Sequence, residues 1–325
     1  MNHVKIIGTG SAAPDKVLSN NDLETLVETS DDWITARTGI KERRIADENT
    51  ASSDLGYEAS VKALESANID ASEIDGIIVG TITPDFLFPS TACLLQSKLG
   101  ARGVLAFDIS AGCSGFLYAL HVGYGMITGG TADKLLIVGA ETLSRVVDYE
   151  DRSTCILFGD GAGATVISRS DEPGILSSIM NSDGKDWQLL YQPGGGSRIP
   201  ATEESIRNKE HFLKMEGKDV FKVAVKSMEN ATVEVIKDAN LDPSDIDLLI
   251  PHQANYRIIE AIRKRLDMPE EKVFCNLDRY GNTSSASVPI ALDEAIKIGK
   301  AKKGDTVLFA AFGAGFTWGA SIVKL

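Results

Sequence analysis

Cysteine is scarce in this 325-residue chain, and its arrangement argues against two common uses of the residue. The four cysteines form no C-x-x-C pair and no cysteine–histidine cluster at the spacing of metal ligands. They are Cys93, Cys113, Cys155 and Cys275. Because the four cysteines lie far apart and show no metal-ligand spacing, we expect neither a disulfide nor a bound metal.

Long apolar runs and an excess of positive charge are also missing. No segment is long and apolar enough to span a bilayer, and the first residues read as a short strand rather than a secretory signal. The chain has 33 basic and 46 acidic residues, so its formal net charge is −13. An acidic balance argues against general binding to nucleic acid. We therefore expect a cytoplasmic protein with no nucleic-acid or membrane partner.

The chain contains an internal repeat. Ala67–Ile78 reads ANIDASEIDGII and Ala239–Ile250 reads ANLDPSDIDLLI, so the two copies are offset by 172 residues. The same offset places the apolar run Leu135–Val138 on Val307–Ala310. A period near half the chain length is too long for a solenoid and indicates a duplicated domain.

The repeat predicts the fold class. It divides the chain near the turn signal Glu172–Gly174 into halves at residues 1–172 and 173–325. Within the halves, helix-period segments such as Val220–Ala239 alternate with short apolar runs such as Ile77–Val79. Such runs are typical of strands buried on both faces, so we predict an α/β fold with a largely parallel sheet in each half. Ligands of such sheets bind at the C-terminal ends of the strands.

Cys113 is the best candidate for a nucleophile. It lies in a glycine-flanked turn between an apolar strand and a helix, within the segment Val104–Leu120. Free amides and the positive end of the helix dipole favour a thiolate there, and backbone amides can bind an oxyanion. Because free cysteine is most often inert packing, the turn alone leaves that alternative open.

Two further candidates lie in the second half. His252 follows the apolar run Ile246–Pro251, at the end of a predicted strand, where it could equally be an ordinary loop residue. The 172-residue offset places Cys113 on Ser285, so Asn282 lies at the turn equivalent to the cysteine turn. Taken alone, that turn is a plain helix N-cap.

Five motifs together resemble those of β-ketoacyl-acyl-carrier-protein synthase III, over almost the whole chain. They are Ser110–Gly115, Asp151–Gly163, Ile250–Asn255, Tyr280–Ser287 and Ala311–Gly319. The resemblance implies a homodimer with a duplicated thiolase-like fold, whose two pseudo-equivalent halves have mostly parallel sheets in a layered α/β arrangement. It also implies an acyltransferase with no bound cofactor. Such an enzyme condenses an acyl-CoA primer, acetyl or short and branched, with malonyl-acyl-carrier protein to initiate fatty-acid synthesis.

The resemblance implies a role for each candidate. Cys113 would accept the acyl group as a thioester, which is itself a good acyl donor. His252 and Asn282 would stabilise the enolate that forms when the malonyl unit loses carbon dioxide. The amides of Cys113 and Ala314 would form the oxyanion hole for the acyl transfers.

The resemblance also implies two sets of binding residues. Coenzyme A would contact Trp33, Arg37, Arg152, Gly217 and Asn255. The acyl pocket would be set by Phe88, which reaches across the dimer, and by Leu143, Leu157, Phe158 and Leu213. For the acyl carrier protein that the resemblance implies, we predict from the basic stretch a docking patch with contacts from Gln253, Arg257, Arg263 and Lys264. Carrier proteins are acidic, which suits the basic stretch here, although a solvated helix face is the simpler alternative.

Other functions are less consistent with the sequence. A thioester hydrolase shares the order of Cys113 and His252 but explains neither the duplication nor Asn282. A condensing enzyme of secondary metabolism shares all three residues and stays open. A non-catalytic binding subunit is disfavoured because all three positions are intact. Gly8–Ala13 resembles a dinucleotide fingerprint, but Pro14 follows where the helix would have to begin.

Overall fold

The computed structural model describes residues 3–325, which contain thirteen strands and eleven α-helices. The strands are β1 (His3–Ala12), β2 (Val17–Ser19), β3 (Glu42–Arg44), β4 (Gly76–Gly80), β5 (Leu105–Ile109), β6 (Lys134–Thr142), β7 (Asp160–Ser170), β8 (Ile175–Ser182), β9 (Leu190–Tyr191), β10 (Lys214–Met215), β11 (Leu248–Pro251), β12 (Thr306–Gly313) and β13 (Thr317–Lys324). The helices are α1 (Asn20–Glu24), α2 (Asp31–Thr38), α3 (Ser52–Ala67), α4 (Thr91–Leu99), α5 (Gly115–Thr128), α6 (Arg152–Cys155), α7 (Glu203–Arg207), α8 (Gly217–Asp238), α9 (Tyr256–Arg265), α10 (Leu277–Tyr280) and α11 (Ser287–Lys297).

The 172-residue offset relates whole elements of the two halves. It carries the first residues of β1, β4 and β6 onto those of β8, β11 and β12. It also carries the 3₁₀ turn Gly112–Ser114 and the following α5 onto the turn Ser284–Ala286 and α11. The predicted boundary at residue 172 falls between β7 and β8. Division into two domains at that point stays a prediction.

Each half contributes one large sheet with mixed pairing. The first has the strand order β1-β7-β6-β4-β5, and the second has the order β11-β12-β13-β8. The pairs β4–β5, β4–β6 and β11–β12 are parallel, as predicted for strands that alternate with helices. The remaining pairs are antiparallel, and the sequence analysis did not predict them. Their apolar runs resemble those of the parallel strands, so composition alone does not separate the two.

The elements stack in layers, which confirms the predicted α/β thiolase-like arrangement. The helices α5 and α11 lie between the two sheets, and their apolar side chains form one core with both. The outer face of the first sheet is covered by α3 and α4. The outer face of the second sheet is covered by α8 and α9. Because α11 and the first turns of α5 are enclosed by protein, apolar residues occur around most of their surface there.

Glycines let the central helices approach the strand ends closely. A Cβ atom on Gly80 would lie 2.5 Å from the carbonyl carbon of Gly115, at the start of α5. A Cβ atom on Gly139 would lie 2.3 Å from the carbonyl oxygen of Ser285. Both distances are shorter than van der Waals contact allows. The two turns that precede α5 and α11 are therefore seated directly on the ends of β4 and β6.

Two glycine substitutions test this packing. A Cβ atom on Gly163 would lie 2.6 Å from the amide nitrogen of Ile290 in α11, so Gly163→Ala should lower the free energy of unfolding by about 1 to 3 kcal/mol. Gly125 in α5 is exposed, and a Cβ atom there would meet no heavy atom within 4 Å. Gly125→Ala should therefore raise the free energy of unfolding by about 0.5 to 1 kcal/mol. Denaturant unfolding measures both, and equal effects of the two changes would contradict the described packing.

Candidate active site

One cavity brings together the three candidate catalytic residues. Cys113 lies in the turn between β5 and α5, His252 directly follows β11, and Asn282 lies two residues before the turn that precedes α11. All three side chains line the same cavity. The structure thus joins residues that lie far apart in the sequence, at the edge where strands of both halves end.

The backbone around Cys113 fits closely against a second glycine-containing segment. Gly112 has φ +54°, which favours glycine, and a Cβ atom there would lie 2.5 Å from the amide nitrogen of Ala314. A Cβ atom on Gly313 would lie 2.3 Å from the amide nitrogen of Cys113. The amides of Cys113 and Ala314 are therefore held in adjoining segments, as an oxyanion hole requires.

Burial dominates the acidity of Cys113. It raises the pKa of the thiol from 9.0 to about 12, although hydrogen bonds with Ser284 and Asn282 act in the opposite direction. Burial thus opposes the thiolate that the helix end favours, and it shifts the resting Cys113 toward the neutral thiol.

His252 is neutral as well. Its side chain is buried, and this burial lowers its pKa from 6.5 to about 3. The backbone amide of His252 donates to the carbonyl of Ala310 at 2.7 Å, which ties the residue to β12. Because a neutral imidazole carries one N–H and one bare nitrogen, His252 can donate a hydrogen bond without adding charge to the site.

The amide of Asn282 is oriented by the backbone. Its Oδ1 accepts a hydrogen bond from the amide of Ser284 at 2.8 Å. Its own backbone N–H donates to the carbonyl of Leu157 at 2.8 Å, and its carbonyl accepts from Gly159 at 3.0 Å. Since Oδ1 is already engaged, the donor group Nδ2 remains for the cavity.

The sequence analysis missed a buried carboxylate beside this group. Glu141 near the end of β6 is fully buried and accepts hydrogen bonds from the hydroxyls of Ser284 and Ser285, at 2.9 and 2.8 Å. Its negative charge raises the pKa of Cys113. A glutamate near the C-terminal end of an apolar strand was a signal that could have found it.

The three side chains predicted to bind the adenine end of coenzyme A lie against one another. In α2, Trp33 is half-buried and Arg37 lies one turn further along the helix. The guanidinium carbons of Arg37 and Arg152 lie 4.5 and 4.9 Å from the centre of the Trp33 ring. An aromatic ring does not fit between groups this close, so a purine stacked there must displace one of the arginines.

The other predicted coenzyme A contacts lie at the cavity. Gly217 at the start of α8 and Asn255 both line it. The side chain of Asn255 also caps α9, because it accepts a hydrogen bond from the amide of Arg257 at 2.9 Å. Gly217 and Asn255 thus lie on the same cavity as the predicted catalytic residues.

The predicted acyl-pocket residues separate into three groups. Leu157 and Phe158 line the cavity that holds the three candidate catalytic residues. Leu143 and Leu213 do not; they pack behind Phe158 in a separate core cluster, which corrects their predicted contact with the acyl group. Phe88 is 86% exposed on the segment between β4 and α4 and does not line the cavity. The cavity has further apolar walls that the sequence analysis missed, and these are Leu190, Met215, Val220, Phe221, Ala224, Met228, Ile258 and Phe312.

Two family models match the chain, in two separate ranges. The model described as 3-oxoacyl-[acyl-carrier-protein] synthase III matches residues 107–184. The model described as the C-terminal part of the same enzyme matches residues 236–325. These ranges contain Cys113, His252 and Asn282.

Full-length relatives extend the match to nearly the whole chain. The chain is 56% identical to a β-ketoacyl-[acyl-carrier-protein] synthase III of Caldanaerobacter subterraneus subsp. tengcongensis, over 98% of this chain and 97% of the relative. It is 51% identical to the enzyme of the same name from Natranaerobius thermophilus, over 100% of both chains. The crystal structure of 3-oxoacyl-[acyl-carrier-protein] synthase III from Aquifex aeolicus VF5 has a TM-score of 0.92 and 51% identity, covering 99% of this chain and 100% of that one.

The chain belongs to the β-ketoacyl-acyl-carrier-protein synthase III family. It is therefore a condensing acyltransferase with the duplicated thiolase fold. Membership does not favour either a thioester hydrolase or a condensing enzyme of secondary metabolism.

The synthase has an exposed basic surface near the cavity. Arg257 and Lys264 on α9 are exposed, whereas Arg263 is partly covered and paired with Glu260 at 2.8 Å. Gln253 is only 1% exposed, and its side chain binds the backbone of the surrounding loops. We therefore remove Gln253 from the predicted carrier contacts, because a buried side chain does not reach a docked protein.

The described residues contain neither a cluster of metal ligands nor a membrane-spanning helix. Among residues 3–325, no group of three or more histidine, cysteine, aspartate or glutamate side chains is arranged to hold a metal ion. Within the same range, no helix combines the length and the apolar character needed to cross a bilayer.

Alkylation tests the neutral state of the Cys113 thiol. Because its pKa is raised to about 12, the rate of reaction with iodoacetamide should rise about tenfold per pH unit between about pH 6 and about pH 9. Mass spectrometry of the Cys113 peptide measures this rate, and Cys113→Ser identifies labelling at the other cysteines. A plateau in the rate below about pH 8 would contradict the account, because it would indicate a thiolate already formed near neutral pH.

Proposed function

We propose that this synthase joins an acyl-CoA primer to malonyl-acyl-carrier protein through an acyl-Cys113 intermediate, initiating fatty-acid synthesis in the cytoplasm. The observation that carries the proposal is the convergence of Cys113, His252 and Asn282 on one cavity. A thiol suits acyl transfer, and two neutral hydrogen-bond donors suit an enolate. The names of the relatives support the carrier protein as substrate.

In the first step, the sulfur of Cys113 attacks the thioester carbonyl of the primer. The thiol proton passes to the departing coenzyme A sulfur, so a thiol and a thioester give a new thioester and free coenzyme A. Negative charge builds on the carbonyl oxygen during attack, and the amides of Cys113 and Ala314 stabilise it. Since the resting thiol is neutral, loss of its proton accompanies the attack.

In the second step, the bond between the malonyl carboxylate and its α-carbon breaks, releasing carbon dioxide. The electron pair forms an enolate, whose oxygen accepts hydrogen bonds from His252 and Asn282. The carbanion then attacks the acyl-Cys113 carbonyl, and the cysteine sulfur leaves. The product is a 3-ketoacyl chain on the carrier protein, and Cys113 recovers its proton from solvent.

The coenzyme A part of the primer is proposed to extend from this cavity to the surface around Trp33. Trp33 and Arg152 would hold the adenine after one side chain moves, and Arg37 would contact a phosphate. Gly217 and Asn255 would line the path of the pantetheine arm. Leu157 and Phe158 would bound the acyl group.

We also propose that the enzyme acts as a homodimer. The support is the exposed apolar segment Phe86–Phe88, whose three side chains are 58%, 81% and 86% exposed. Contiguous apolar exposure of this kind marks an interaction surface. In the dimer, Phe88 would reach the acyl pocket of the partner and help to limit primer size.

Three substitutions separate the two steps. Cys113→Ala should abolish transfer of the acyl group from coenzyme A, because the nucleophile is lost. Asn282→Ala and His252→Ala should retain that transfer but lower malonyl decarboxylation by about a hundredfold, because each removes one enolate donor. Acyl-enzyme formation and release of labelled carbon dioxide measure the two steps. Loss of acylation in Asn282→Ala would refute this division of roles.

A charge reversal tests carrier docking. Arg257→Glu should raise the Michaelis constant for malonyl-acyl-carrier protein about tenfold at low salt, because it places a negative charge where an acidic carrier docks. The Michaelis constant for the acyl-CoA should change less. The matched control is Lys300→Glu, an equal charge change at an exposed site beyond the C-terminal end of α11. An unchanged carrier constant in Arg257→Glu would remove Arg257 from the docking surface.

A further inference from the structure

Glu141 is a buried carboxylate to which the proposed reaction gives no role. It is 0% exposed, and no lysine or arginine pairs with it among the salt bridges of residues 3–325. A buried carboxylate without a partner is costly, so its hydrogen bonds must compensate. Those bonds connect Glu141 to two different parts of the molecule.

One carboxylate oxygen fixes the side chain to the first half. Oε2 accepts hydrogen bonds from the amides of Ile82 and Thr83, both at 3.1 Å. It also accepts from the hydroxyls of Thr81 and Thr83, at 3.2 and 2.6 Å. Because four donors bind this one oxygen, they fix the position of this end of the Glu141 side chain.

The other carboxylate oxygen holds the turn before α11. Oε1 accepts from Ser284 and Ser285. Ser284 has φ +49°, a left-handed conformation that is unfavourable for residues with a side chain. The contact with Glu141 therefore stabilises a turn that serine does not adopt readily.

The same turn orients the enolate donor. The amide of Ser284 donates to Oδ1 of Asn282 at 2.8 Å, and this bond leaves Nδ2 of Asn282 for the cavity. Glu141 is thus linked to Asn282 through one residue, Ser284. The hydroxyl of Ser284 donates to Glu141, and its backbone amide donates to Asn282. Glu141 itself does not line the cavity.

We propose that Glu141 is a positioning residue, which holds Ser284 so that the amide of Asn282 points at the enolate oxygen. The inference rests on the proposed role of Asn282 in decarboxylation. Glu141 touches no reacting atom, so its loss should slow the step that uses Asn282. Acylation of Cys113 should not slow, because the negative charge of Glu141 raises the pKa of that thiol.

The principal test is Glu141→Ala, with the two steps measured separately. Malonyl decarboxylation should fall about tenfold, less than on removal of the donor itself, whereas single-turnover acylation should not fall. Glu141→Gln should retain most of the decarboxylation, because its oxygen can accept from the amides while its NH₂ group donates to the serines. In Asn282→Ala, the added Glu141→Ala change should cause no further loss of decarboxylation.

Asp293→Ala is the matched control for a purely structural effect. Asp293 is also a buried carboxylate held by two hydroxyls, those of Thr9 and Ser11, at 3.0 and 2.5 Å, and unlike Glu141 it is also paired with a lysine, Lys297, at 2.7 Å. It should lower thermal stability and change both steps in the same proportion. If Glu141→Ala also lowered both steps in proportion, Glu141 would be only a structural residue and the proposal would be wrong.

Two further outcomes are decisive. An equal fractional loss on adding Glu141→Ala to wild type and to Asn282→Ala would show that Glu141 does not act through Asn282. Normal decarboxylation in Asn282→Ala alone would show that the proposed division of steps had failed first.

If Glu141→Ala does not fold, Ser284→Ala replaces it, since it removes the same hydrogen bond and leaves the other contacts of Glu141. Unchanged decarboxylation in Ser284→Ala would then overturn the proposal.

Discussion

The close contact between the two halves at their equivalent turns is the constraint on which the active site depends. The turn Gly112–Ser114 packs against the segment that contains Gly313, and Gly115 of α5 approaches Ser285 of the other turn. A side chain on Gly112 or Gly313 would collide with the backbone across the contact. Neither half alone places an acyl-accepting thiol beside an enolate donor, because Cys113 comes from one half and Asn282 from the other.

The side chains near this contact are also buried, and burial shifts their charge states. Burial raises the pKa of Cys113 to about 12 and lowers that of His252 to about 3. Both groups are therefore neutral near pH 7. A neutral pair differs from the thiolate–imidazolium pair of many cysteine hydrolases. It suits a reaction in which negative charge forms only transiently, on a carbonyl oxygen or an enolate. Hydrogen-bond donors in fixed positions stabilise that charge.

Much of the fold could be predicted from the sequence because the duplication is visible as a repeated segment. The 172-residue offset found between two short segments also relates strands, turns and the central helices α5 and α11. The antiparallel strands could not be predicted, since strands such as β13 carry the same apolar runs as parallel strands. Their direction depends on connections and neighbours that local composition does not record.

The candidate site was predictable where a chemically reactive or polar side chain lies at a strand-to-helix turn or at the end of a strand. Cys113, His252 and Asn282 meet that condition, and the structure brings them together. Gln253 follows His252 directly, yet it is buried in a loop, and adjacency in sequence gave no sign of this.

Sequence patterns could not predict which residues line the cavity and which pack behind its wall. Leu143 and Leu213 support its wall without lining it, and this distinction depends on three-dimensional packing. Glu141 was missed because its partners Ser284 and Ser285 lie more than 140 residues away along the chain.

The central claim is that the primer passes through a covalent thioester on Cys113. Intact-mass measurement after incubation with a panel of acyl-CoAs, followed by addition of malonyl-acyl-carrier protein, tests it most directly. The account predicts a single acyl adduct that disappears on the second addition, with a 3-ketoacyl group appearing on the carrier. An adduct that hydrolyses to free acid without reaching the carrier, or no adduct with any primer, would contradict it.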